Sequence, residues 1–240
     1  MKKKLFFIPL FFVSCILNAQ ISENGTPLGL DFNSQNIPII EMAQVDLNEI
    51  QREDSLDALR NLPMRFGKGH DVNLDMTAEG TWIETKNSDH ILQLKIKCPK
   101  ALSVNLIYDH FYLPEGTKFY VYSEDRSYLL GAFTSNNNKP KGNFSTGLIP
   151  GETIILEYNS FGAKLIPEIN IERVVHGYRD FFNLEKLYGD SGPCNNNVNC
   201  PEGMAWQDQI SSVAMIVLGN GSRWCTGAMI NNTCNDGLPY

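Results

Sequence analysis

The stretch His90-Ile-Leu-Gln-Leu-Lys-Ile-Lys97 alternates apolar and polar residues from Leu92 onward, which is the period of a half-buried β-strand. Further strand candidates follow at short intervals with no helical pattern between them: Leu102–Leu106, Phe119–Tyr122, Ile154–Tyr158 and Ile169–Val175. Turn sequences such as Pro114-Glu-Gly116 separate them. Many short strands at this spacing predict an all-β fold in which residues 79–180 form a β-sandwich of the jelly-roll type.

The segment before the sandwich, residues 20–78, contains one helix signal. Between Asp46 and Asn61 the apolar residues recur at helical spacing, with acids and arginines between them, and Pro63 ends the pattern. We therefore predict a single short helix in this segment.

Residues 1–19 have the composition of a secretory signal peptide. Three lysines, Lys2–Lys4, precede an apolar run, Leu5–Leu17, that is shorter than the ~20 residues a membrane-spanning helix needs. Leu17-Asn-Ala19 is a small-residue cleavage sequence, so we predict cleavage after Ala19. A lipid-anchored Cys15 is the alternative, but Phe12 fits poorly three positions before such a cysteine. The sequence predicts a secreted, extracellular protein with no membrane association once the signal peptide is removed.

The charge balance excludes several classes of partner. The chain carries 20 basic and 27 acidic residues. Loss of the leader removes three lysines and no acid, which leaves a net charge near −10. Nucleic acids and anionic membrane surfaces bind basic surfaces, so neither is expected as a partner.

Five cysteines remain after the leader, and their number is odd: Cys98, Cys194, Cys200, Cys225 and Cys234. In an oxidising compartment an odd set indicates a free thiol or a missing partner. Zinc binding is the competing interpretation. The gap between Cys194 and Cys200 is wide for a zinc-ligand pair, however, and the last histidine, His176, lies upstream of both. We therefore predict no metal and no cofactor.

Gly189-Asp-Ser191-Gly-Pro193 resembles the Gly-Asp-Ser-Gly-Gly-Pro sequence around the nucleophile of trypsin-like serine proteases. A nucleophilic serine needs a histidine base within hydrogen-bond reach. The chain has four histidines, His70, His90, His110 and His176, and none of them stands in the Ala-His-Cys context of that family. Proline also replaces the second glycine of the motif. Asp109 and His110 do not form an acid–base pair either, because adjacent strand residues face opposite ways. We interpret the Ser191 motif as a turn and predict no catalytic residue in this chain.

After a connector at residues 181–190, a second strand pattern begins. Ser211–Leu218 and Trp224–Ile230 are apolar, and Gly219-Asn-Gly221 between them is a turn sequence. The simplest prediction is a β-hairpin.

Together, the C-terminal motifs resemble the mature N-terminus of bacterial lysyl endopeptidases, which are secreted trypsin-like serine proteases. The motifs are Ser191-Gly-Pro-Cys194, Cys200-Pro-Glu-Gly203, Trp206-Gln-Asp208, Cys225-Thr-Gly-Ala-Met-Ile-Asn-Asn232 and Asn235-Asp-Gly-Leu-Pro-Tyr240. Upstream motifs resemble the precursor region of the same family: Arg65-Phe-Gly67, Gly80-Thr-Trp82, Ala101–Leu106, Leu113-Pro-Glu-Gly116 and Val174–Arg179.

The resemblance implies that residues 20–180 are a pro-region and that residues 191–240 begin a trypsin-like double β-barrel. The catalytic triad would then lie beyond Tyr240, so this precursor fragment is expected to be inactive by itself. The complete zymogen would yield an endopeptidase that cleaves proteins or peptides after lysine or another basic residue. Lys186, or alternatively Arg179, would be the processing point.

The resemblance also implies a role for four cysteines. Cys194, Cys200, Cys225 and Cys234 become disulfide candidates whose partners lie later in the protease domain, with Cys225 paired to the cysteine after the catalytic histidine. Cys98 has no counterpart in this pattern.

The alternative function is a secreted, non-catalytic β-sandwich that binds or adheres to a glycan or a protein.

Overall fold

The computed structural model of the chain describes residues 22–31, 37–180, 182 and 201–229. Two β-sheets dominate this part of the chain, and a separate two-stranded sheet follows them. No helix in the described ranges is both long and apolar enough to cross a membrane.

The first sheet contains six strands: β1 (Ile39–Glu41), β3 (Thr81–Glu84), β4 (His90–Lys97), β6 (Lys118–Ser123), β7 (Leu129–Phe133) and β10 (Thr153–Ser160). Its order is β1-β4-β10-β6-β7, and β3 also pairs with β4. β1 runs parallel to β4, whereas the other pairs are antiparallel.

The second sheet contains five strands: β2 (Gly67–Asp75), β5 (Ser103–Tyr112), β8 (Phe144–Ser145), β9 (Ile149–Pro150) and β11 (Glu168–Gly177). Its order is β2-β11-β5-β8, and β9 also pairs with β5. All of its pairs are antiparallel.

The hydrophobic core lies between the two sheets. Leu92, Leu94 and Ile96 alternate along β4 and belong to the same buried cluster as Leu106 and Tyr108 of β5. Aromatic rings fill one region of this core, where Phe111 and Phe144 stack with their centroids 4.0 Å apart. The prediction of an all-β fold with a β-sandwich is therefore confirmed.

The predicted helix is also present, as α1 (Leu47–Leu59). Asp46 caps its N-terminus, because its carboxylate accepts hydrogen bonds from the backbone N–H groups of Asn48 and Glu49. Two strands of the sandwich, β1 and β2, come from the segment 20–78, in which we predicted only this helix. The second is polar and contains two glycines, so its sequence carries a weak strand signal.

An N-terminal segment, residues 22–31, lies across the outer face of the first sheet; we call it the strap. Glu23 and Ala132 exchange two backbone hydrogen bonds of 2.8 Å. Leu30 packs against a small cluster that includes Tyr120 and Ile155. The strap therefore covers side chains that would otherwise face solvent.

Beneath the strap, the carboxylate of Glu157 is completely buried. Its four hydrogen-bond donors are the Gly29 backbone N–H at 2.7 Å, the Tyr122 hydroxyl at 2.7 Å, and the side-chain amides of Asn159 at 2.8 Å and Gln93 at 2.9 Å. Burial, followed by the nearby Glu157 carboxylate, raises the pKa of Tyr122, so that its hydroxyl stays a donor. These hydrogen bonds compensate for the free energy that is lost when the Glu157 carboxylate is removed from water.

The predicted C-terminal hairpin is confirmed. It consists of β12 (Val213–Val217) and β13 (Arg223–Ala228), with Val213 opposite Ala228 and Ile216 opposite Cys225. The first strand starts two residues later than predicted, because Ser211 and Ser212 end a short helix, α2 (Gln207–Ser212).

Candidate functional site

The turn of the hairpin contacts the sandwich where β2 begins. The backbone N–H groups of Phe66 and Gly67 both donate to the Gly221 carbonyl, at 2.6 and 3.1 Å, and the Arg223 N–H donates to the Met64 carbonyl at 2.7 Å. Arg65 and Ser222 form an antiparallel β-bridge between these bonds. We call this contact between Met64–Gly67 and Leu218–Arg223 the clasp.

Glycine is needed on both sides of the clasp. Gly221 has a φ of +85°, and a Cβ there would lie 2.2 Å from the Gly67 carbonyl oxygen. A Cβ on Gly67 would in turn lie 2.7 Å from Val175 Cγ1. At Gly221 the two backbones therefore approach more closely than a side chain would allow, whereas the missing Cβ of Gly67 leaves room for Val175 of β11.

A cluster of opposite charges holds α1 against the sandwich side of the clasp. Arg65 Nη1 lies 2.9 Å from Glu53 Oε2, and Arg65 Nη2 lies 2.9 Å from Asp54 Oδ1. Burial lowers the pKa of Arg65, but its hydrogen bonds to Glu53 and Asp54 outweigh that effect and raise the pKa overall. The bond from Arg65 lowers the pKa of Glu53. Arg65 and Glu53 are therefore both charged at neutral pH.

The predicted processing candidate Arg179 belongs to this cluster. Its Nη2 lies 2.9 Å from Asp54 Oδ2, and its Nε donates to the Arg65 carbonyl at 2.7 Å. The Tyr178 hydroxyl bonds the same Asp54 carboxylate, and burial, followed by Asp54, raises the pKa of Tyr178 to about 12. A protease must pull the Arg179 side chain out of these contacts before it can bind it. Lys186, Ala19 and Ser191 lie outside the described residues.

These contacts predict that trypsin cleaves the Arg179–Asp180 bond slowly in the folded chain. Asp54→Ala removes the carboxylate shared by Arg65 and Arg179, so we expect cleavage after Arg179 to become roughly tenfold faster through local opening. Mass spectrometry of timed digests measures the fragment that ends at Arg179. Glu53→Ala is the control, because Glu53 is more exposed than Asp54 and pairs with Arg65 and not with Arg179. Equal cleavage rates in the wild type and Asp54→Ala would contradict the prediction.

Three of the four histidines, His70, His110 and His176, have different surroundings. His110 Nε2 lies 2.6 Å from Glu168 Oε2 on the surface, whereas Asp109 bonds Asn170 instead. His176 is buried, and its ring centroid lies 6.2 Å from that of His70. Burial, followed by His70, lowers the pKa of His176 to about 4. Among the described residues, no histidine bonds a serine or cysteine side chain.

Two of the cysteines fall in the described ranges. Cys98 is buried, and burial raises the pKa of its thiol to about 12, which makes it unreactive at neutral pH. Cys225 is exposed on β13 as a free thiol, accessible to a disulfide partner. Cys194, Cys200 and Cys234 lie outside the described residues, so the disulfide predictions stay predictions. In those same ranges, no three side chains of His, Cys, Asp or Glu are grouped to hold a metal ion.

Comparison with known families identifies the C-terminal part of the chain. Residues 188–240 match the family described as "Lysyl endopeptidase, C-terminal domain". This match includes the hairpin and its side of the clasp, and it confirms the resemblance over this segment. No solved structure matches the chain. The protein therefore joins an all-β sandwich to a segment related to the lysyl endopeptidases.

Proposed function

We propose that this chain is the N-terminal part of the precursor of a secreted serine endopeptidase that cleaves after lysine or another basic residue. The observation that carries the proposal is the family match over residues 188–240. In this proposal residues 1–19 direct export, residues 20–180 are the pro-region, and processing follows at Lys186. Proteins or peptides are the substrates, and nucleic acids and membranes are not partners.

The exposed surface of the hairpin supports the proposal. Val213, Ile216 and Trp224 are large apolar residues with about half or more of their surface exposed. Isolated hairpins are at best marginally stable in water, and exposed apolar clusters usually mark contact surfaces. A hairpin of this composition suits the start of a larger β-domain. The catalytic triad is proposed to be supplied by sequence that follows Tyr240.

The geometry of Arg179 favours Lys186 as the processing point. Arg179 is held by Asp54 and by the Arg65 carbonyl, and its backbone N–H also bonds the Phe66 carbonyl at 3.3 Å. Cleavage there would require these contacts to open. Cleavage after Lys186 would leave them intact.

The proposal predicts that the complete precursor, purified after secretion, hydrolyses lysyl peptide substrates, whereas residues 20–240 alone do not. Peptides with lysine, arginine or leucine before the scissile bond separate basic from apolar specificity. N-terminal sequencing of the secreted enzyme gives the processing site, expected at Leu187.

Two outcomes would contradict the proposal. One is hydrolysis by residues 20–240 that Ser191→Ala abolishes, because the Ser191 motif would then be the nucleophile. The other is a folded, secreted full-length protein without peptidase activity, which would favour the binding or adhesion module.

A further inference from the structure

The clasp joins two parts of the chain that lie on opposite sides of the predicted processing region. Met64–Gly67 precedes Arg179 and Lys186, whereas Leu218–Arg223 follows them. Every contact of the clasp is non-covalent. Cleavage at either processing candidate would therefore break the chain without removing any of these contacts.

The clasp uses the turn residues Gly221 and Ser222 and the first residue of β13, Arg223, on the side that β12 leaves free. Inside the hairpin, the Leu218 N–H donates to the Ser222 carbonyl at 2.8 Å. The neighbouring Gly221 carbonyl and Arg223 N–H point to the other edge, because backbone groups alternate along a strand, and there they meet Met64–Gly67. Unpaired strand edges are recurrent sites of strand addition. A strand that paired along this whole edge would have to displace Met64–Gly67.

The sandwich side of the clasp is also held by contacts that do not involve the hairpin. The Phe66 carbonyl accepts hydrogen bonds from the Tyr178 and Arg179 N–H groups at 3.0 and 3.3 Å, and the Phe66 side chain is fully buried. The Arg65 side chain is fixed by Glu53 and Asp54. A preorganised edge loses little conformational entropy when it binds a partner strand.

Two further contacts of the hairpin turn with the sandwich, one to Arg173 and one to Ile107, make the clasp more selective than backbone pairing alone. Arg173 of β11 donates from Nη1 to the Gly219 carbonyl at 3.5 Å, a long hydrogen bond. A Cβ on Gly219 would lie 3.2 Å from Ile107 of β5. The turn thus lies across β11 and β5 as well as at the start of β2, which a generic strand edge would not do.

We propose that the sandwich remains bound to the C-terminal part of the chain after the connector is cleaved, and that the clasp is the surface that holds them together. The partner of this surface is the glycine turn of the hairpin together with Arg223, the first residue of β13. This inference rests on the proposed function, since it assumes that the connector is processed. After cleavage the sandwich would stay bound to the protease segment and cover part of its hairpin. It would not be released when the connector is cut.

The test uses residues 20–240 with a recognition sequence for a site-specific protease inserted between residues 183 and 190. After cleavage under reducing conditions, which exclude disulfide links, size-exclusion chromatography and native mass spectrometry show whether the fragments stay together. We expect the wild-type fragments to co-elute. Gly221→Ala places a Cβ against the Gly67 carbonyl, so we expect the dissociation constant to rise at least about tenfold.

Two further variants keep the result interpretable. Gly147→Ala is the matched control, because a Cβ there meets only Leu130 Cδ1, at an ordinary 3.7 Å, and its fragments should co-elute. Arg223→Pro replaces the donor to the Met64 carbonyl with a ring methylene group and places no new group against Gly67, and it should weaken the complex as Gly221→Ala does. Urea unfolding of each uncleaved variant checks that the sandwich is intact.

Separation of the wild-type fragments would overturn the inference, as would co-elution of both clasp variants with unchanged affinity. Neither readout depends on peptidase activity. If the protein is not a peptidase, only the substrate assay will show it. If the fragments do not stay together, only the chromatography and native mass spectrometry will show it, so the failure of one proposal can be told from the failure of the other.

Discussion

Glu157→Ala is expected to lower the free energy of unfolding by about 3 to 5 kcal/mol, because it leaves several buried donors without their acceptor. The fully buried Glu157 carboxylate accepts four hydrogen bonds, from the strap at Gly29 and from the side chains of Gln93, Tyr122 and Asn159. Without it, four buried donors lose their acceptor, and each would have to find water or remain unpaired.

Urea unfolding of residues 20–240, followed by circular dichroism, measures this loss. Glu172→Ala is the matched control, because Glu172 is exposed on β11, and we expect it to stay within about 0.5 kcal/mol of the wild type. Glu157→Gln tests the charge separately, since its amide would turn a donor toward other donors. A loss below about 1 kcal/mol for Glu157→Ala would show that the network does not stabilise the sandwich.

Acidification from pH 7 to pH 4 is expected to destabilise the sandwich by roughly 1 to 3 kcal/mol through His176 alone. Burial, followed by His70, lowers the pKa of His176 from an ordinary 6.5 to about 4. The unfolded chain therefore binds a proton near pH 6.5 that the folded chain does not accept. The stabilising contribution is complete above pH 6.5 and is lost progressively as the pH falls toward 4.

His70 adds to this effect in the same direction. Burial, followed by Lys68, lowers the pKa of His70, and its Nε2 atom is buried without a hydrogen-bond partner. Both nitrogens of His176 are likewise buried and without partners. Protonation of His70 would place a positive charge near Lys68, and protonation of His176 would place one near His70. The new N–H would have no acceptor in either case.

The measurement compares the free energy of unfolding of the wild type and His176→Leu between pH 4 and pH 7.5. Carboxylates titrate equally in both proteins, so the difference between the two curves isolates His176. We expect the wild type to lose stability more steeply below pH 6.5. Parallel curves would show that His176 is not kept neutral by burial.

Strands with a clear alternation of apolar and polar residues, such as β4, or with a short apolar run, such as β10, could be predicted from the sequence. β4 and β10 lie where their patterns placed them, and Leu92, Leu94 and Ile96 face the core. Asp46 and the apolar spacing behind it likewise predicted α1. These signals are local, because each depends only on neighbouring residues.

β2 and the buried carboxylate could not be predicted in the same way. Gly67–Asp75 is polar, and only its pairing with β11 makes it a strand. Glu157 is a single acid within the apolar run Ile154–Tyr158, and glutamate is rarely buried. It is buried because the strap, distant in sequence, covers that face and supplies the Gly29 N–H.

The candidate site likewise has a part that the sequence predicted and a part that it did not. Motifs between Ser191 and Tyr240 were sufficient to relate the C-terminal segment to the lysyl endopeptidases, because family motifs are properties of the sequence itself. Gly219-Asn-Gly221 was correctly predicted as a turn for a similar, local reason. The clasp was not foreseen, because a glycine needed for a turn and a glycine needed for close approach to another backbone look identical in sequence.

The all-β class, the hairpin and the family relation could thus be predicted from composition, periodicity and motifs, because each of these features depends on residues that are close together in the sequence. Tertiary structure alone decided that the strap buries Glu157, that Asp54 holds Arg179 and that the hairpin turn meets β2. Each of these contacts joins residues far apart in sequence, and each depends on distances of a few ångströms that no local pattern encodes.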